Sequence, residues 1–459
     1  MTRPRFRFPP SPTGTPHIGN MRTALFNWAL SRALKGDLII RIEDTDTARN
    51  QPGAAEQMLA DLAWLGLDWD EGPDIGGEYG PYWQSQRQER HLAVAEQLLV
   101  AGHAYYGAEP GQAGEPAGQP LRLRLPADQQ FRVVDALHGE IVVDLTLRED
   151  PVLVRSDGRP VYHLATMVDD YEMAISHVVR GDDWLPWLPI HAYLYRVLGW
   201  PEPVWVHLPL VRGQDGQKLS KRDLTTGPYT VAALRAAGYL PKAVFNYLLL
   251  LGWSPDGEQE IVDKWEVRQQ FRLERLSRSP SRFDWDKLAW VNRHYLGKLA
   301  ESELIELVRP YLEDAYGEIP AGGAFLPQLV RTIRPGLDKL ADAPALAEWA
   351  FVRPADFSEA AGKVLRAEPA GPILLQLIAR SASLVILDVD SAAGLLHNLR
   401  VALSDQYGWR TGQILRPIRA ALTGNLEGPP LPEIMGILGQ AECLERLAAA
   451  LKWRREPGE

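Results

Sequence analysis

The sequence predicts an α/β fold: an open α/β sheet interrupted by an α+β insertion and followed by an all-α C-terminal half. Three observations carry this. Residues 5–34 read as strand, tight turn and helix, and Leu38-Ile39-Ile40-Arg41-Ile42 adds a mostly apolar run suited to a buried parallel strand. Between Gly102 and Pro160 the pattern changes to loop composition and short alternating runs. From about Glu301 to Glu459 the chain is Leu/Ala-rich and punctuated by Pro and Gly, as an all-helical region in one or two domains would be.

Composition bounds the reading. At 459 residues the chain exceeds what one core supports, so two to four domains are expected. A net charge of −10 argues against indiscriminate polyanion binding, yet leaves room for a local basic face. The single cysteine, Cys443, excludes a disulfide framework, a Cys-rich zinc site and a CxxC pair. Behind Met-Thr-Arg-Pro-Arg there is no apolar core, and no run approaches the roughly 18 apolar residues of a membrane span, so a cytoplasmic address and no membrane partner are expected.

Taken in order, Arg5 to Phe8 alternate charged and apolar side chains as a half-buried strand does, and the prolines and Gly14 force a turn. Ile18, Met21, Leu25 and Trp28 then recur at helical steps, giving a helix with one buried face whose N-terminus is aimed back at the turn. Free N–H groups and the helix dipole attract an anion there, His17 adds a donor, and Gly19 lets a flat group such as an adenine ring lie against the backbone. The helix ends near Lys35-Gly36, and Glu43 emerges at the C-terminal end of the second strand, the edge where ligands collect in open α/β sheets. Helices follow over about Ala54–Leu65 and Gln86–Ala101. This alternation is Rossmann-like, and the lack of GxGxxG argues against a dinucleotide.

Gly107 to Pro120 holds four glycines and three prolines, and 121–125 and 141–145 alternate like antiparallel strands. Val161–Ala165 and Ile175–Arg180 read as short strands separated by a turn at Asp169-Asp170, and Arg180-Gly181-Asp182-Asp183-Trp184 opens a helix capped by Asp182 or Asp183. After Val204–Leu210, the loop from Gly213 to Arg222 carries three cations, which suits a mobile clamp for a triphosphate or simply a solvated loop. Helices are expected over 241–251 and 263–276. Residues 266–298 hold eight Lys/Arg against four Asp/Glu, a surplus that fits phosphate contacts.

Pro16-His17-Ile18-Gly19-Asn20 resembles the HIGH signature of class I aminoacyl-tRNA synthetases, with Asn20 where the signature has His. Pro10-Ser11-Pro12-Thr13-Gly14 before it and Arg41-Ile42-Glu43-Asp44-Thr45-Asp46 after it resemble bacterial glutamyl-tRNA synthetases in particular. Gly213-Gln214-Asp215-Gly216, leading to Lys218-Leu219-Ser220-Lys221-Arg222, resembles the KMSKS motif; residues 283–292 resemble the family's stem-contact region and 412–424 its anticodon-binding domain. The resemblance implies a Rossmann-like catalytic domain in two halves, 1–101 and 161–222, around an acceptor-end-binding insertion at 102–160. A stem-contact domain at 223–300 and an all-helical anticodon-binding region at 301–459 would follow.

The resemblance also implies the site. His17, Gly19, Lys218 and Lys221 would be catalytic. Pro12, Thr13, Gly14, Asn20, Leu210 and Ser220 would join them around ATP, which brings Mg2+. Arg7, Ser11, Glu43, Tyr162 and Arg180 would hold L-glutamate. Many bacterial relatives carry a cysteine-based zinc site in the insertion; with one cysteine, no zinc is expected here. Charge counting agrees: glutamate carries two carboxylates and one ammonium, so a matching dry pocket wants two cations and one anion. Arg7 and Glu43 forming a structural salt bridge is the alternative. Thr166 stands where some relatives have Asn.

The implied reaction is attack of the glutamate carboxylate on the α-phosphate of ATP, followed by transfer to a tRNA ribose hydroxyl, with no protein nucleophile. Gly336 aligns with the arginine that in discriminating relatives reads the last anticodon base. Its lack of donor and bulk predicts a non-discriminating enzyme that charges tRNA-Gln as well as tRNA-Glu, although Gly336 also fits a plain helix interruption. A strictly discriminating enzyme, a non-tRNA adenylyltransferase and a silent tRNA-binding protein are the other readings. A β-barrel anticodon region, as in glutaminyl relatives, conflicts with the helical C-terminal half. A monomer is the implied state.

Overall fold

β1 (Arg5–Phe8) is buried along its whole length and leads through the proline turn into α1 (Ile18–Ala33). This computed structural model describes residues 3–126, 130–217, 219, 229–319, 323–382 and 385–455. α1 ends where expected, but Lys35 rather than Gly36 takes the left-handed conformation. Gly36 is needed for a different reason: a Cβ there would collide with the Pro4 carbonyl. The chain returns as β2 (Asp37–Ile40), then α2 (Ala54–Trp64) and α3 (Gln88–Val100).

The segment expected as one insertion supplies two sheets. β3 (Ala104–Tyr106), β4 (Leu121–Leu123) and a later strand make a small antiparallel sheet. Between them lies a hairpin of β5 (Gln130–Asp135) and β6 (Gly139–Asp144), and the later strand is β7 (Val152–Val154).

α4 (Tyr162–Glu172) corrects the expected strand at Val161–Ala165 and the expected turn at Asp169-Asp170. Leu164, Ala165, Met167 and Val168 of this helix enter the core, and Asp169 and Asp170 are fully buried within it. A five-residue apolar run carries no period of its own, so tertiary packing decides its state. β8 (His177–Gly181) follows as expected. A 3-10 turn, Asp182–Trp187, has its N-cap at Gly181, and α5 (Leu188–Val197) and β9 (Val204–Leu208) complete this part.

The main sheet runs β2-β1-β8-β9-β5-β6, parallel through β5 and closed by antiparallel β6. β2 and β8 flank β1 on opposite sides, so the chain reverses direction around β1. That is the switch point at which open α/β sheets bind ligands, beyond the C-terminal strand ends. α1 is buried on most of its circumference rather than on one face, because α7 (Pro241–Leu250) and α8 (Lys264–Gln270) cover the side turned away from the sheet. They follow β10 (Val211–Arg212) and α6 (Val231–Ala236); β11 (Ser281–Arg282) and α9 (Trp285–Lys298) come after. α8 is shorter than the expected 263–276: an Asp263/Glu266 capping box starts it, and Phe271 leaves it.

The chain divides into two compact units, 1–291 and 292–459. In the second, the described residues after α9 form α10 (Glu301–Tyr316), α11 (Phe325–Ile333), α12 (Ala343–Phe351), α13 (Glu359–Arg366) and α14 (Ala370–Ser381). α15 (Val389–Tyr407), α16 (Thr411–Thr423) and α17 (Leu431–Trp453) finish it, α17 being two pieces joined at Gly439. Leu374, Leu377, Leu399, Leu403, Ile418 and Leu447 are fully buried in its core. Among the described residues no helix is long and apolar enough to cross a membrane.

Candidate active site

A cleft of about 340 Å³ opens at the switch point, between the proline turn, the start of α1 and the ends of β1 and β8. Arg7, Ser11, Thr13, Gly14, His17, Gly19, Asn20, Glu43, Tyr162, Arg180 and Leu210 all line it. Pro12 lies buried behind the turn, where its carbonyl accepts from Gln51 N at 2.9 Å. Lys218, Ser220 and Lys221 lie outside the described residues; Leu219, between them, lines the cleft.

His17 is the N-cap of α1. Its Nδ1 accepts from Asn20 N–H at 3.3 Å, which puts the ring proton on Nε2. A Cβ on Gly19 would stand 2.9 Å from that ring, so glycine is what lets the imidazole lie across the first turn of the helix. Arg22, which sequence reasoning missed, also lines the cleft. It donates to Leu251 O at 2.9 Å and to Pro209 O, and burial, opposed by Asp182, lowers its pKa to about 10. A charged residue directly after Met21, one of the apolar positions that mark the buried face of the helix, was the available signal.

Beneath the cleft lies a buried ionic floor. Arg7 Nε meets Asp170 at 3.1 Å, Arg41 meets Asp170 at 2.8 Å and Glu43 at 3.0 Å, and Arg87 meets Asp169 at 2.6 Å. His91 and Gln84 donate to Asp169 at 2.8 and 2.9 Å. The Arg7–Glu43 salt bridge is therefore not the arrangement: Arg7 takes Asp170, and Glu43 takes Arg41 together with the Thr166 hydroxyl, 2.8 Å away. This gives Thr166 a place, as a donor that orients Glu43. Burial raises the Glu43 pKa, with Arg41 and Thr166 opposing. Burial would also raise Asp169, but the His91 hydrogen bond and the Arg41 and Arg87 charges hold it below the usual range.

Arg180 is held differently. Its Nε donates to His207 Nε2 at 3.0 Å and its Nη2 to His191 Nδ1 at 2.9 Å. His207 Nδ1 reaches Asp135 Oδ2 at 2.7 Å, and His191 Nε2 reaches His163 Nδ1 at 3.0 Å. Among the described residues no carboxylate pairs with Arg180, and Arg180 Nη1 and Arg7 Nη2 are buried without hydrogen-bond partners. Tyr162 closes the same end of the cleft, stacked on Trp184 at 4.1 Å; burial and the nearby Glu43 raise its phenol to about 12.

Comparison with known proteins matches this layout over nearly the whole chain. The family described as class I tRNA synthetases (E and Q), catalytic domain, matches residues 4–113 and 107–290, and an anticodon binding domain matches 303–451. A Glutamate--tRNA ligase of Thermus thermophilus is 40% identical, covering 97% of this chain and 99% of that protein. One of Dehalococcoides mccartyi is 37% identical over 97% of both. The crystal structure of a glutamate tRNA ligase from Elizabethkingia meningosepticum, in complex with its amino acid, superposes with a TM-score of 0.89 at 29% identity, covering 98% of this chain and 99% of that one. Its counterpart from Elizabethkingia anophelis gives a TM-score of 0.85, also at 29% identity, over 98% and 100%. Two matched domains in the expected order, and relatives alike from end to end, show that the chain belongs to the glutamyl-tRNA synthetase family of class I tRNA synthetases.

Proposed function

We propose that this chain joins L-glutamate to tRNA through a glutamyl-adenylate, and that the cleft at the switch point is where the adenylate forms. One observation carries the choice of amino acid. Arg7, Arg41 and Arg87 lie directly against Asp170, Asp169 and Glu43, whereas Arg180 touches no carboxylate among the described residues, Asp135 reaching it only through the neutral His207. The side-chain carboxylate of glutamate supplies that direct contact; the amide of glutamine does not, and would leave the guanidinium without a touching counter-charge in a dry site. The unpartnered Arg7 Nη2 and Arg180 Nη1 are the donors for substrate carboxylate, and Glu43 is the acceptor for the ammonium.

ATP lies along the turn from Ser11 to Gly14 and over the start of α1, whose N–H groups and dipole face the phosphates. His17 Nε2–H donates to the triphosphate from one side. Lys218, Ser220 and Lys221, outside the described residues, are the further candidates for phosphate contact that the motif supplies, and Mg2+ enters with ATP as part of the substrate. These groups align the carboxylate with the α-phosphate and offset its growing charge; removing one such donor typically costs about 100- to 1000-fold in rate. The carboxylate displaces pyrophosphate from the α-phosphate; the tRNA ribose hydroxyl then attacks the acyl carbon, gives up its proton and displaces AMP. No protein nucleophile takes part, and burial of the single thiol, Cys443, pushes its pKa to about 12.

ATP–pyrophosphate exchange in the presence of tRNA tests this. Glutamate supports exchange and glutamine does not; Arg180→Lys, which loses the fork, raises the glutamate KM about 10-fold or more and leaves the ATP KM within about twofold. Equal exchange with glutamine would overturn the assignment.

Non-discrimination is part of the same proposal. Gly336 lies in a 3-10 turn, Arg334–Gly336, and borders an open hollow of about 990 Å³ in the second unit. Purified tRNA-Gln accepts labelled glutamate under conditions that charge tRNA-Glu. Gly336→Arg suppresses charging of tRNA-Gln selectively, since the φ there is not positive and only the flexible Leu346 side chain must give way. Absence of transfer to tRNA-Gln by the unaltered enzyme rules the proposal out.

A further inference from the structure

We propose that Asp135, His207 and His191 are positioning residues: they fix the Arg180 guanidinium with Nη1 turned to the substrate carboxylate, and do so without neutralising its charge. This rests on the reading of Arg180 as a carboxylate ligand of the substrate.

Asp135 Oδ2 can only accept, so His207 carries its proton on Nδ1 and presents a lone pair on Nε2 to Arg180 Nε–H, 3.0 Å away. Arg180 Nη2 can only donate, so His191 Nδ1 is a lone pair too, and its proton sits on Nε2, directed at His163 Nδ1. Every tautomer in the chain Asp135, His207, Arg180, His191, His163 is thereby fixed. The guanidinium is gripped on two edges by neutral acceptors; among the described residues its Nη1 makes no hydrogen bond that meets the distance and angle for one, and the Tyr162 phenol stands beside it. Burial and the Arg180 charge keep these imidazoles unprotonated: His163 and His207 fall to about 4, and His191 is lowered well below its ordinary value.

The chemistry of the grip matters. Arg7 is oriented by the Asp170 carboxylate, and Asp170 also cancels much of its charge. An imidazole orients as well as a carboxylate does, yet leaves the cation whole for the ligand. Asp135 lies at the end of β5, in the hairpin that completes the main sheet, and lines no part of the cleft. Its Oδ1 also accepts from Leu137 and His138 N–H, both at 2.9 Å, so the turn that follows β5 holds the far end of the chain rigid.

The test is glutamate-dependent ATP–pyrophosphate exchange with tRNA present, comparing unaltered enzyme with Asp135→Asn, His191→Asn and His191→Asp. Asp135→Asn keeps an oxygen for the turn and places an N–H against His207, favouring the wrong tautomer. The glutamate KM is expected to rise about 10-fold, with the ATP KM within about twofold. His191→Asp sets a carboxylate on Arg180 and is expected to raise the glutamate KM about 10-fold beyond His191→Asn, a gap that a merely structural role would not produce. If His191→Asp does not fold, as judged by circular dichroism, Asp135→Asn decides alone. Unchanged glutamate KM values in folded variants, or glutamate and ATP KM values rising together, overturn the positioning role. Loss of glutamate dependence in the unaltered enzyme would instead overturn the functional reading beneath it.

Discussion

Arg7 shares Asp170 with Arg41, whereas Arg180 is bounded by imidazoles, and this difference governs how the site answers to pH. The folded chain holds His163 and His207 neutral down to about 4, while the same side chains unfolded take up a proton near 6.5. Between those values the unfolded state binds more protons. Their contribution to stability is therefore complete above about pH 6.5 and is lost as the pH falls towards about 4. The buried Asp169, lowered by its partners, keeps its contribution through that window. Urea unfolding followed by tryptophan fluorescence is expected to show a lower midpoint at pH 5 than at pH 7, and an equal midpoint would contradict neutral buried imidazoles. Of the residues involved, Arg7, Glu43, Tyr162 and Arg180 were legible in the sequence. Thr166 was noted there without a role, and Asp170, His191 and His207 gave no sign of theirs, because each acquires its role through partners on other elements.

The first strand, turn and helix could be read from sequence because local signals agree there: alternation, prolines, then 3.6-residue periodicity. α4 could not, since Val161–Ala165 suits either state and an acidic doublet ordinarily marks a turn; here buried arginines from three other segments give Asp169 and Asp170 their partners. Within α1, Gly19 offers a test that separates stability from activity. Gly19→Ala improves helix propensity by up to about 1 kcal/mol. It also forces the His17 ring off the first turn, since the new Cβ would lie 2.9 Å from it. Undiminished thermal stability together with a fall in exchange rate of about 10-fold or more is expected. Unchanged exchange would mean that the ring position does not matter to the reaction.

Over the whole molecule, an acidic chain must still meet a polyanion. Within 266–298, Arg275, Lys287 and Arg293 are paired with Asp256, Glu260 and Asp338, while Arg272 and Arg278 are exposed. Arg272→Ala and Arg278→Ala are each expected to weaken tRNA binding and to reduce the slope of log affinity against log salt by about one. An unaltered slope in both would place the stem elsewhere. The order of the parts was legible from motifs, but the strand order was not, because pairing of β5 with β9 joins residues some seventy positions apart and leaves no local trace. That pairing limits how far the chain could be shortened by evolution or by design. A deletion that takes β4 strips the buried Leu121 and Leu123 from the core, and one that reaches residue 130 removes an edge of the main sheet and unties His207 from Asp135, so a minimal version of this enzyme has to retain both the middle strand and the hairpin.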